Sequence, residues 1–475
     1  MSKDIQVYTS LNAKVQPAES PEILLLSTEG EAAMKTFTDL QDIEADFGGK
    51  KVAAMAAKLF NQEHTLADTL IRKVRIAGIE NPQAAVGTNS KLTVTFASAT
   101  FTSALEGQKP YYVKIGGKAI VQVQTDSVPA SDLEIAKLFQ SKNFTEDGIT
   151  FEASVSKGVV TFTSTEHTAI SGYTETVEFY KNADCTEPCG LQNGTLAVVS
   201  GSADVSRADA LIAAIEELRD VDDDFYFILT DVTDDECVKA LCQWAEGTAP
   251  TEAELGAGVE DHRKFYFGQT ANKEYANDYG RSAVFYSEAP YTEWADAAWV
   301  GCVAPFWPQS VTWKWKVPDG VEVADLRDSE RDVLENNRVN FMTEEYKHAY
   351  VKNGICGDGN FVDNVLGADY ITYQMRENLY RIFMENPKIG YNDGGFALVA
   401  DSVFDALNRA VDLEIISVDA ESGSGNFTVT VPKLADATEE QITNRRMPDI
   451  YWEAELDGAI HSAKVSGVLS VTLNS

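Results

Sequence analysis

Side chains that could do chemistry are numerous in this chain, but their spacing rarely brings two together. The histidines are His64, His167, His262, His348 and His461. None has another three or four positions away, the spacing that sets two imidazoles on one helix face as metal ligands. Cys185-Thr-Glu-Pro-Cys189 is open to three readings: a disulfide, a metal site or a plain loop. A zinc site wants a second close-spaced ligand pair, and none follows. Cys237 and Cys242 lie five apart on a predicted helix and share no face well, whereas a redox dithiol is more typically a CxxC beside a βαβ unit. Among the carboxylates, Asp222-Asp-Asp224 leads into a strand and Asp234-Asp-Glu236 opens a helix. Acids in a first helical turn complement the helix dipole, which is the weightier reading than catalysis. Asp358-Gly-Asn-Phe-Val-Asp363 superficially resembles a calcium loop but misses the EF-hand spacing and its closing Glu.

The sequence has no phosphate-binding G-x-x-x-x-G-K-[ST], no G-x-G-x-x-G after a strand and no G-x-S-x-G nucleophile elbow. Gly423-Ser-Gly425 reads as a turn. Trp299, Trp307, Trp313 and Trp315 cluster around Pro305 and Pro308. Such a segment can stack on a sugar or a base, but more often it packs a core or an interface. An enzyme, and any cofactor or metal, therefore has no residues to rest on, and the expectation is a non-enzymatic protein without cofactors.

The elements that would have to position chemistry point instead to assembly. The 475 residues, 44% hydrophobic, suffice for roughly three domains. Lys plus Arg number 39 against 74 Asp plus Glu, a net charge of −35. That field repels phosphate backbones and anionic membranes, so neither nucleic acid nor a membrane anchor is an expected partner. No stretch approaches the ~20 apolar residues of a membrane span. No signal peptide is visible at Met1-Ser2-Lys3-Asp4-Ile5, and six cysteines make no disulfide framework, so synthesis in a reducing cytoplasm is expected.

Residues 1–20 read as a strand arm with Ile5 and Val7 on one face, followed by a linker. Residues 21–80 open an α/β domain: a strand over 22–27, an Ala-rich helix over 53–61 and a strand over 70–76. Residues 81–183 turn rich in Thr, Ser and Val, with short strands at 91–96, 111–115, 118–123, 148–153, 158–163 and 175–179, and read as an inserted β-sandwich or barrel. The α/β pattern resumes over 184–365. Residues 366–475 read as an α+β domain: helices over 370–385 and 395–411, then strands over 413–418, 426–431, 450–456 and 465–473. The fold expected is thus multi-domain α/β and α+β: a mixed-sheet α/β core, an inserted all-β domain and an α+β C-terminal domain carrying terminal strand arms. A lone strand at each end invites a partner strand.

Several of these stretches also resemble a known family. Tyr275-Ala-Asn-Asp-Tyr-Gly-Arg-Ser-Ala-Val-Phe-Tyr286, Ala298-Trp-Val-Gly-Cys-Val-Ala-Pro-Phe-Trp-Pro308 and Ser310-Val-Thr-Trp-Lys-Trp-Lys-Val-Pro318 are similar to the core of contractile tail sheath proteins of myoviruses, prophages and phage-tail-like bacteriocins. The resemblance continues through Asn353-Gly354, Asn378, Glu385-Asn-Pro-Lys-Ile-Gly-Tyr391, Asn444-Arg-Arg-Met-Pro-Asp-Ile450 and Glu453-Ala-Glu-Leu-Asp-Gly-Ala-Ile-His461. It covers most of 190–475 and part of 1–80, but not the insert.

The resemblance implies a homo-oligomer of hexameric rings stacked helically around an inner tail tube protein, with baseplate and tail terminator proteins at its ends. Such a sheath is assembled in the host bacterial cytoplasm and works in a virion tail or phage-tail-like particle. It implies strand exchange between subunits through Ile5, Val7, Leu456, Ile460, Val465, Leu469, Val471 and Leu473. It also makes Arg376, Arg381, Arg409, Arg445 and Arg446 candidates for the tube-facing surface, against the plainer reading of solvated arginines. The alternatives are another self-assembling virion or shell protein, and an α/β enzyme without recognisable motifs.

Overall fold

A computed structural model of the chain describes residues 21–63, 70–96, 109–126, 129, 131–189, 194–248, 263–308 and 310–464. The expected arm residues Ile5 and Val7, and Val465, Leu469, Val471 and Leu473, lie outside the described residues. The chain divides into two compact units, one formed by Met1–Pro82 with Leu211–Ser475, the other by Gln83–Ala210.

The first unit opens with β1 (Ile23–Ser27), β2 (Ala32–Phe37), α1 (Leu40–Phe47), α2 (Lys51–Phe60) and β3 (Val74–Gly78). Ile23, Leu24, Leu25 and Leu26 are all buried. An unbroken apolar run of this kind marks a parallel strand covered on both faces, where alternation would expose half the side chains to a neighbouring layer.

The Gln83–Ala210 unit holds β4 (Asn89–Phe96), β5 (Pro110–Ile115), β6 (Ala119–Gln124), α3 (Asp132–Lys137), β7 (Phe144–Glu146), β8 (Ile149–Ser156), β9 (Val159–His167), β10 (Thr176–Tyr180) and β11 (Gly194–Val199). They form one antiparallel sheet in the order β6-β5-β10-β11-β4-β9-β8-β7. Burial alternates along β4 and β6, the pattern of a sheet with one face in a core. Leu92, Val94 and Phe96 point inward, and Phe139 sits within 5.6–6.4 Å of the Phe96, Phe162 and Phe179 rings. The unit is not purely β: Ser131 caps α3 by accepting the Glu134 amide at 3.3 Å.

The first unit resumes with α4 (Arg207–Val221), β12 (Phe227–Thr230), α5 (Asp235–Glu246), β13 (Phe265–Thr270), β14 (Ser282–Tyr286), α6 (Pro290–Glu293), α7 (Ala295–Val303), α8 (Asp328–Asn336), β15 (Asn340–Glu345) and β16 (His348–Lys352). Its sheet runs β16-β15-β14-β13-β12-β1-β3-β2. The six inner strands are parallel, and β2 and β16 close the two edges antiparallel. Every residue of α7 is buried, as suits a helix whose side chains are apolar on every face apart from Asp296. It packs on α2 so closely that a Cβ at Gly301 would stand 2.2 Å from the Leu59 carbonyl oxygen. The edge at β16 is covered by the chain itself: Trp315 donates its amide to Val351 (3.1 Å), Val351 donates to Lys316 (2.8 Å), and the Trp315 ring lies on Tyr350.

The unit continues with α9 (Val362–Glu385), α10 (Asp393–Asp412), β17 (Phe427–Thr430), α11 (Glu439–Thr443) and β18 (Tyr451–Ala454). A buried ion pair fastens α9 to the sheet. Asp369 accepts from Arg281 (2.6 Å) and from the Tyr226 hydroxyl, and the Arg281 Nε donates to the Lys264 carbonyl (3.0 Å). Removing one partner of such a pair costs about 3–5 kcal/mol, because it leaves a buried charge uncompensated.

One expected strand is absent. Over 413–418 the chain first completes a helix end: Glu414 donates to Val411 (3.0 Å) and Ile415 to Ala410 (2.8 Å), while Glu414 itself takes φ +57°. This is a Schellman termination with glutamate where glycine is usual. Only Ile416 and Val418 then make isolated bridges, to Leu456 and Gly425.

Candidate assembly site

The C-terminal layer is built on two helices. Asn392 caps α10 by accepting the Gly395 amide at 3.0 Å. Tyr370, Met375 and Leu379 of α9 meet Val403, Ala406, Leu407 and Ala410 of α10 in one core, which Ile415 and Ile416 complete. Asn378 ties the helices by donating to the Ser402 carbonyl (3.1 Å).

On this layer lies a sheet of two strands, β17 and β18, paired antiparallel from Phe427↔Ala454 to Thr430↔Tyr451. Phe427, Val429, Trp452 and Ala454 lie against the helix core, while Thr428, Thr430, Tyr451 and Glu453 are exposed. Among the described residues no third strand joins either edge. A sheet of two strands is marginal on its own, so its outer backbone groups are a template for further strands. Short bonds splice its base to the helix end: Ser417 donates to Glu455 (2.9 Å), Asp457 to Ile415 (2.9 Å) and Asn426 to Ser417 (2.8 Å).

The sequence-predicted residues divide on this frame. Leu456 is half-buried and bridges Ile416, at the root of the two-stranded sheet, and Ile460 is 82% exposed. Arg376 is buried at 8% exposure, so it is withdrawn from the tube-facing candidates: its side chain lies within the helix layer. Arg381 donates to Asn378 (3.2 Å), Arg409 to the Tyr370 hydroxyl (3.1 Å) and Arg446 to Asp449 (3.4 Å), and Arg445 is exposed with φ +54°. The 391 and 446 regions meet where the Tyr391 hydroxyl donates to the Arg446 carbonyl (2.9 Å). Sequence reasoning missed the exposed apolar side chains Tyr380, Phe383 and Met384 near the end of α9, although their i, i+3, i+4 spacing is the signal of a shared helix face.

The positions where an open α/β sheet holds ligands are filled by the protein. The chain passes from β1 to β3 on one side and returns to β12 on the other, so the switch point lies beyond the C-terminal ends of β1 and β12. Asp231 occupies it, buried, accepting from the Thr28 amide (3.0 Å), the Thr28 hydroxyl (2.7 Å) and the Ser27 hydroxyl (3.3 Å). Burial raises its pKa, and the Thr28 bonds offset part of that rise. Glu29 takes the Lys51 amide (2.8 Å) at the start of α2. Cys185 and Cys189 are not joined in a disulfide and lie in a loop organised by Asn182, which accepts the Thr186 and Glu187 amides. Among the described residues no three His, Cys, Asp or Glu side chains come together as a metal site, and no helix is long and apolar enough to cross a membrane. His64 and His262 lie outside the described residues. Trp299 and Trp313 are core residues: Trp299 donates its ring N–H to the Trp313 carbonyl (3.0 Å), and both rings pack on Phe267. The Asp358 carboxylate closes on its own loop, accepting the Asn360 amide (2.9 Å) and side chain (2.5 Å).

No protein-family model matches the chain, and no curated protein matches it either. Among solved structures, it is similar to a sheath tail protein from Desulfitobacterium hafniense, with 14% identity and a TM-score of 0.42 over 90% of this chain and 93% of that one. It is similar to a chain of the sheath complex of an extracellular contractile injection system in its contracted state, with 10% identity and a TM-score of 0.41 over 98% and 96%. It is also similar to a chain of the anti-feeding prophage baseplate, with 12% identity and a TM-score of 0.40 over 57% and 76%.

Proposed function

We propose that this chain is a structural subunit of a contractile tail sheath, one that polymerises as stacked hexameric rings around an inner tube and contracts to drive the tube through a target envelope. The observation that carries the reading is the two-stranded sheet β17–β18, which packs one face on α9 and α10 and has no third strand among the described residues. Strand addition to such an edge supplies affinity through main-chain hydrogen bonds and survives rigid-body rotation of the bodies it joins. The stretches that resemble sheath proteins agree in kind: 282–286 is a buried strand, 298–303 a buried helix, and Trp313 a core residue. All are packing positions, suited to a mechanical part rather than a catalyst.

In this reading Ile5 and Val7 belong to a strand donated to a neighbour. Leu456, Ile460, Val465, Leu469, Val471 and Leu473 belong to the acceptor and to the second donated strand. Arg381, Arg409, Arg445 and Arg446 are the tube-facing cations. The partners are further copies of this chain, the tube protein, and the baseplate and terminator proteins. Assembly takes place in the host cytoplasm and the work is done in a virion tail or tail-like particle.

The test is deletion of residues 1–12. The truncated subunit should keep the circular dichroism spectrum and melting temperature of the full chain and should lose polymerisation. Sheaths assembled from the truncated subunit would refute strand donation.

A further inference from the structure

Beyond β18 the chain is tied at its base by the Asp457 amide, donated to the Ile415 carbonyl (2.9 Å), and then runs over its own surface. Of residues 457–464, seven are exposed and only His461 is not. Its Nε2 lies 2.7 Å from the Thr312 hydroxyl, on the segment between α7 and α8. Its ring stands edge-on to Phe361, the residue that precedes α9, with centroids 4.5 Å apart and planes at 81°. Three separate parts of the chain thus meet at one imidazole.

We propose that His461 is a protonation-controlled latch that pins the 457–464 segment to the α/β layer of its own chain and releases it on acidification. The Thr312 hydroxyl can donate to a neutral Nε2 or accept from a protonated one, so that bond alone does not sense pH. The surroundings do. Burial disfavours the imidazolium, and the like charge of Lys314, two residues from Thr312, acts on the ring in the same direction. On the α9 side Phe361 is uncharged, and the nearby Asp363 carboxylate is buried and interacts with Lys316. On the segment itself Asp457 and Lys464 are exposed.

The docked imidazole has its pKa lowered from the ordinary 6.5, so docking is fully present above about 6.5 and weakens as pH falls below it. At pH 5.5 only about one free imidazole in eleven remains neutral, so the docked-to-free ratio falls by up to about tenfold.

The latch is a property of the isolated subunit and stands apart from the sheath reading. What the release would do, namely hand the residues beyond 464 to a neighbour, rests on that reading. A nitroxide placed by Ala463→Cys, in a Cys185→Ser background, reports docked and free segments as immobile and mobile spectral components. The mobile-to-immobile ratio should rise up to about tenfold from pH 7.5 to pH 5.5. His461→Gln should hold the segment with little pH response, Lys314→Met should shift the release to lower pH, and His461→Ala should leave the label mobile at both values. A ratio that stays constant with pH in the full chain, or an immobile label in His461→Ala, overturns the proposal. In either case the assembly of the full chain is scored separately by polymerisation.

Discussion

Asp296 shows what single residues contribute here. Its carboxylate is buried in the first turn of α7, accepts the Ala297 amide at 2.8 Å through Oδ1, and among the described residues finds no hydrogen-bond partner for Oδ2. Burial pushes its pKa up to about 7. A raised carboxyl pKa means that the folded state holds its proton more tightly than the unfolded one. The folded chain therefore loses stability as pH climbs from about 4 to about 7, by on the order of 4 kcal/mol at this site. Asp363, pushed up to about 6 by burial, adds in the same direction. Asp296→Asn should therefore raise the melting temperature at pH 8 and reduce its decline between pH 5 and 8, measured by thermal melts of both proteins across that range. Parallel pH profiles would contradict the assignment. None of this was legible in the sequence, where Asp296 was one acid among 74. Arg376 misled in the same way: a cation on a helix reads as surface unless the packing of that helix is known, and α9 is enclosed on several sides. His461 looked isolated because its partners, Thr312 and Phe361, lie 149 and 100 residues away.

At the scale of elements, runs and periodicities translated well where one physical requirement dominated. The apolar run at 22–27 became β1, and the alternation at 91–96, 111–115 and 118–123 became β4, β5 and β6, each within a residue or two. The strand expected over 413–418 gives way to a helix end, because Ile415 and Ile416 are buried by the helix core beneath a Schellman cap, even though β-branched residues favour strands. The helix over 370–385 began eight residues earlier, at Val362, since its first turns are buried and carry little amphipathic contrast. Strands β17 and β18 fall within the expected strands at 426–431 and 450–456, while their pairing, and the lack of a third strand among the described residues, come only from the sheet order. That edge makes its own prediction. A peptide of residues 1–12, added to the subunit lacking them, should slow amide hydrogen exchange within 427–430 or 451–454. Each added main-chain bond contributes about 1 kcal/mol, roughly a fivefold slowing. Unchanged exchange in both strands at millimolar peptide would remove the two-stranded sheet as the acceptor.

For the whole molecule, the change to Thr, Ser and Val near residue 81 lies beside the start of the compact unit at Gln83, while that unit ends at Ala210, past the reading of 183. Its last strand, Gly194–Val199, was absorbed into the α/β portion because no sharp change in composition marks it. The charge of −35 is a property of the entire chain and bears on assembly. Like-charged subunits repel over about 10 Å at 0.1 M salt and about 3 Å at 1 M, so raising salt should favour association that is otherwise held back. The most direct measurement is negative-stain electron microscopy of the full chain, alone and co-expressed with a tube protein, at low and high ionic strength. The sheath reading predicts helically striated tubes, more abundant at high salt and in the presence of the tube. A monodisperse monomer under every one of these conditions would contradict it.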